Sequence, residues 1–126
     1  MLMLKLFLMI GSINMLIAVG LGAFGAHGLQ GKLTERMIEI YQTGVQYHMI
    51  HAIAILIIAV VADRLGYPAM LTWAGWAMFL GIIFFSGSLY ILSISGVKVL
   101  GAITPIGGVF FMVGWVLIAL SAFKSL

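Results

Sequence analysis

The chain has 126 residues, of which 64% are hydrophobic and only 7% charged, and its mean hydropathy is +1.28. A soluble domain carries charge on roughly a quarter of its residues, so a water-soluble globule is excluded. Six Lys or Arg against three Asp or Glu leave a formal net charge of +3, but no basic cluster or groove-reading motif accompanies it, which argues against nucleic acid as a partner. There is no Cys, so disulfides, thiolate metal sites and thiol catalysis fall away.

The charges punctuate the sequence. Residues 6–31, 40–62, 65–97 and 99–123 hold no Asp, Glu, Lys or Arg, and each run reaches the roughly 20 residues that cross a hydrocarbon core of about 30 Å. The expectation is one all-α, four-span domain over 1–126, with spans near 4–25, 38–62, 69–92 and 101–123, in the cytoplasmic membrane. The first run is longer than the apolar region of a secretory signal peptide, so it is read as a retained span. Lys5, Arg64 and Lys124 fall on one side and Lys32, Arg36 and Lys98 on the other, a tie under the positive-inside rule.

Span 1 carries a stripe of small residues, Gly11, Asn14, Ala18, Gly22 and Gly25. Small residues at helical spacing let two backbones approach closely in lipid. Asn14, near mid-span, calls for a hydrogen-bond partner on another helix. Gly25, Gly28 and Gly31 are expected to end the helix, leaving His27 in the turn. Thr34, followed by Glu35, reads as an N-cap.

The helix from Thr34 carries two polar stripes. Glu35, Glu39, Gln42 and Gln46 form one; Tyr41, Gly44, His48 and His51 form the other, on nearly the opposite face at about 100° per residue. Only about 14 residues after His48 are mostly apolar, too few to span a bilayer alone. His48 and His51 therefore lie at membrane depth and must face the bundle or a wet cavity.

Span 3 opens with Trp73 and Trp76, placed as interfacial aromatics. It ends in FFSGSLYILSISG, where Ser86, Ser88 and Ser93 can bond back to their own helix. Span 4 has Pro105 at its start and a stripe including Thr104, Gly107, Phe111 and Gly114. Spans 1 and 4, both glycine-faced, are expected to pack together, and surplus glycine stripes suggest a homo-oligomer or a membrane partner.

Three functional readings of the histidines stay open. One is a structural core in which His48, His51, Gln46, Asn14 and hydroxyls of spans 3 and 4 satisfy one another. Another is a polar pocket for a small solute, proton or lipid headgroup, drawn from Asn14, His27, Gln46, Tyr47, His48, His51, Ser86, Tyr90 and Thr104. The third is a metal or haem held by His27, His48 and His51. Catalysis has no constellation behind it: no Ser-His-Asp set, no HExxH, and no Lys in the glycine string GAFGAHG. No cofactor is expected.

Four blocks, GAFGAHGL (22–29), YQTGVQYHMIHAIAIL (41–56), FSGSLYILSISG (85–96) and GAITPIGGVFFMVGW (101–115), resemble the family called domain of unknown function 423. These are small bacterial membrane proteins, and eukaryotic transmembrane protein 256 is similar. The family motifs match at Gly25, His27, Gly28, Tyr47, His48, His51, Ser86, Gly87, Tyr90, Thr104, Pro105, Gly107 and Gly108, without departure in these blocks. The resemblance implies four spans and brings no reaction with it.

Overall fold

The computed structural model describes residues 2–125, which are helical apart from short connections, with no strand among them. Four long helices run antiparallel in sequence order: α1 (Leu2–Gly28), α2 (Glu35–Arg64), α3 (Ala69–Ser95) and α4 (Thr104–Ser125). A 3₁₀ turn (Lys98–Ala102) leads into α4. All four helices are long and apolar enough to cross a membrane. Each runs past the expected span at one or both ends. Inside lipid every backbone N–H and C=O must be satisfied within the helix, so helix continues to the interface.

The caps are local. Thr34 Oγ1 accepts from the Met37 amide at 3.2 Å, satisfying one donor that the first turn leaves free. The expected break at Gly25 and Gly28 does not occur; α1 runs through both, and His27 lies in its last helical turn. The left-handed residue of that connection is Gly31, at φ +80°. Gly25 serves packing instead, because the ring of Tyr41 lies where its side chain would be.

α1 packs along α2, α2 on α3, and α3 along α4, while α1 and α4 make no substantial contact. The expected pairing of spans 1 and 4 is therefore corrected. A glycine stripe permits close approach without specifying which helix approaches. Gly11 takes Leu56 and the Ala52 carbonyl, and Gly22 takes Val45 and Met49. On α4, Gly107 lies against the backbone of Phe84 and Phe85, and Gly114 against Met78. These stripes are used up inside one chain, so they no longer argue for an oligomer.

One half of the bundle is an apolar core built around Phe7, Ile55, Ile58, Leu71, Met78 and Ile82. Phe7 meets Trp76 edge-on, with centroids 5.5 Å apart. The other half holds the polar groups. Between them α3 widens into a π-helical turn at Ile82–Gly87, an interruption common near functional sites. It carries Ser86, whose hydroxyl crosses to the Gly44 carbonyl on α2 at 2.8 Å instead of bonding back to its own helix. Ser88 and Ser93 do bond back, to Phe85 O and Tyr90 O.

Candidate functional site

Helical phasing divides α2 as its spacing requires. Tyr41, Gly44, His48 and His51 are buried, and Glu35, Glu39, Gln42 and Gln46 are exposed. His48 and His51 lie close to the middle of α2, so they sit near the centre of the membrane. Each residue is only 3% exposed.

The two rings do not converge on one point. His48 Nε2 lies 3.0 Å from Asn14 Oδ1 on α1, and His48 Nδ1 lies 2.8 Å from the Tyr90 hydroxyl on α3. Asn14 spends its amide N–H on the Ile10 carbonyl at 2.8 Å, so its oxygen faces His48. An amide oxygen only accepts. His48 must therefore donate from Nε2, and in the neutral ring Nδ1 accepts from Tyr90. One imidazole thus ties α1, α2 and α3 together.

His51 is fixed by different partners. Its Nδ1 lies 2.7 Å from the Tyr47 carbonyl one turn earlier, and its Nε2 accepts from the Trp115 indole on α4 at 3.1 Å. A carbonyl only accepts and an indole N–H only donates. His51 is consequently neutral, with its proton on Nδ1. Its ring also lies flat on Phe111, with centroids 3.5 Å apart and planes within 6°. Further polar bonds cross between helices on the same side of the bundle. Tyr41 donates to the Leu21 carbonyl at 2.5 Å, and Ser88 and Thr104 pair at 2.6 Å.

Other expected members of the pocket fall elsewhere. His27 is exposed in the last turn of α1, thirteen residues beyond Asn14 or about 20 Å along the helix. Gln46 is exposed on the outer face of α2 and takes no part in the histidine network, because it belongs to the Glu/Gln stripe that phasing turns outward. Tyr47 contributes its carbonyl, while its ring packs on Phe85 at 4.6 Å. Ser86 and Thr104 are engaged as described, one level away from the rings. Among the described residues no group of three or more His, Cys, Asp or Glu is placed to hold a metal ion, and the separation of His27 from the rings removes the expected third ligand.

Trp115 and Phe111 were not among the expected site residues. The missed signal is that Trp115 lies in the middle of α4, far from the interfacial belt where Trp is ordinarily found. An indole N–H at that depth needs an acceptor. Replacing Trp115 with Phe is expected to cost about 1 kcal/mol, the scale of a membrane interhelical hydrogen bond plus some lost packing. Thermal unfolding in detergent measures this. Trp73→Phe, at a position 66% exposed, should leave the unfolding temperature unchanged.

Comparison with known proteins places the fold in context. Residues 21–108 match the family described as Protein of unknown function (DUF423). The chain belongs to this family. It is similar to the UPF0382 membrane protein YwdK of Bacillus subtilis (strain 168), 53% identical over 122 residues that cover 97% of this chain and 99% of that one. The UPF0382 membrane protein SAB0533 of Staphylococcus aureus (strain bovine RF122 / ET3-1) is 50% identical over 120 residues, covering 95% and 97%. UPF0382 membrane protein SH2409 of Staphylococcus haemolyticus (strain JCSC1435) is 46% identical over 120 residues, with the same coverage. No solved structure matches. The DUF423 chain is thus a membrane protein of an uncharacterised family, and these relatives carry no enzymatic name.

Proposed function

We propose that this DUF423 protein is a non-enzymatic component of the cell membrane, an accessory or partner-bearing unit, whose midplane histidines are structural. His48 locks α1 and α3 onto α2, and His51 locks α4. One observation carries this reading: all four ring nitrogens of the two buried histidines are engaged by side chains or backbone of the chain itself. A proton carrier or general base needs a nitrogen that a substrate can reach, and neither ring offers one. The polar bonds between helices fix register in a medium where apolar burial alone drives little association.

A second reading, a small ligand- or lipid-binding unit, has two grooves in its favour, one of them about 450 Å³ and reaching His48 and Tyr90 between apolar walls that include Ile17, Leu21 and Ile82. The other, of about 440 Å³, opens beside His51 and is walled by Tyr47, Phe111, Met112 and Trp115. Its walls are mostly apolar rings.

The two readings differ in whether the imidazoles can be reached. Carbethoxylation of the folded protein in membranes, mapped by mass spectrometry, is expected to label His27 and to spare His48 and His51. Labelling of either midplane histidine while the fold persists would overturn the structural reading in favour of the pocket.

A further inference from the structure

The exposed face of α2 carries a seam that the fold does not use. Gln46, Ile50, Ile53, Ile57 and Val60 follow one another at alternating spacings of four and three residues, the repeat by which helices pack side by side. All five are exposed, the four aliphatic ones by 44% to 56%. α4 presents an exposed row of the same period, Val109, Val113, Val116 and Leu120, so exposure and period alone single out nothing. The difference is Gln46. It lies seven residues beyond Glu39, about 10 Å deeper along the helix axis, and thus within the hydrocarbon. None of the described residues hydrogen-bonds its amide.

A primary amide facing lipid leaves two N–H donors and a carbonyl unsatisfied, at a cost of several kcal/mol in the absence of water. Exposed Ser12 on α1 is a different case, since a hydroxyl can turn onto its own helix carbonyls. The stem of Gln46 is too short to lift its amide past Glu39 to the interface. The amide is also self-complementary, because each can donate to and accept from another. Copies inserted in the same orientation are related by an axis along the membrane normal, and such an axis sets α2 parallel to its mate with Gln46 opposite Gln46. A single polar residue in an otherwise β-branched seam is a known device for fixing register and stoichiometry. α2 also stands as a ridge between two grooves of about 300 and 440 Å³, and Gln46 lines both. These grooves leave room for side chains flanking a partner's ridge.

We propose that the protein self-associates through the outer face of α2, with Gln46 of each copy hydrogen-bonded to Gln46 of the other inside the membrane. The contact residues of the seam, Gln46, Ile50, Ile53, Ile57 and Val60, make none of the hydrogen bonds of the histidine network, although the 440 Å³ groove beside the seam is walled in part by Tyr47, His51 and Trp115.

The absence of Cys makes the test direct. Single-cysteine variants Ile53→Cys on the seam and Val116→Cys on α4 are oxidised in native membrane vesicles. Ile53→Cys is expected to form a disulfide-linked dimer, and Val116→Cys only a collisional background. Gln46→Leu, an apolar change at a lipid-facing position that leaves monomer folding intact, is expected to raise the dimer dissociation constant about tenfold by energy transfer in vesicles. Equal cross-linking at Ile53→Cys and Val116→Cys overturns the proposal. So does a dissociation constant unchanged in Gln46→Leu.

Discussion

Gly107→Ala is expected to be the most damaging single methyl addition in this protein. A Cβ at Gly107 would lie on the backbone of the π-helical turn, against the Phe85 nitrogen and the Phe84 carbonyl carbon. Overpacking a tight core by one methyl costs typically about 1–3 kcal/mol when side chains can shift. Here the obstacle is main chain, so α4 must move away from α3 or the turn must reorganise. Either movement disturbs the Ser86 bond to the Gly44 carbonyl and the Phe85 ring against Tyr47. A loss at or above the upper end of that range follows. Gly114→Ala meets only the flexible Met78 side chain, and Gly20→Ala meets nothing within 4 Å. Unfolding temperatures in a mild detergent should therefore rank Gly107→Ala well below Gly114→Ala, with Gly20→Ala at or slightly above the parent. Equal stability of the Gly107 and Gly20 variants would refute the close approach.

That ranking shows where the sequence was legible. Charge-free runs of bilayer length give four helices because lipid leaves the backbone no alternative. The 100° period correctly sends Tyr41, Gly44, His48 and His51 inward and the Glu/Gln stripe outward. Helix pairing was not legible. Gly11, Gly22 and Gly25 announce a close neighbour, yet only the bulky complements Leu56, Val45 and Tyr41 identify it as α2. The π turn has no propensity signature in IIFFSG, and its close contact with Gly107 is a tertiary feature. Gln46 shares hydrogen-bonding chemistry with the histidines, but its helical phase places it on the other face of α2. Trp115 carries a signal of its own: an indole at mid-span asks for an acceptor as insistently as a histidine asks for partners.

His48→Leu is the second large effect, and its size is set by what it leaves behind. The lost hydrogen bonds themselves are modest, since interhelical bonds measured in membranes average only about 0.6 kcal/mol. The substitution also strands Asn14 Oδ1 and the Tyr90 hydroxyl near the middle of the bilayer, where no water can replace the imidazole. A buried group without its partner costs about 1–3 kcal/mol, so the single variant is expected to lose about 2–4 kcal/mol. Asn14→Leu strands the His48 Nε2 proton in the same way. The double variant removes donor and acceptor together and should lose less than the sum of the two single losses, because paired polar groups replaced by apolar ones of similar size are often nearly neutral. A double-mutant cycle on detergent-unfolding free energies is expected to show coupling of about 1 kcal/mol or more. Strict additivity would mean that the imidazole and the amide do not depend on each other. Tyr90→Phe should cost less than His48→Leu, since it orphans one ring nitrogen and leaves the bond to Asn14 intact. If Tyr90→Phe instead proved the worse of the two, the join between α2 and α3 would rest on the tyrosine, and His48 would serve mainly to hold α1.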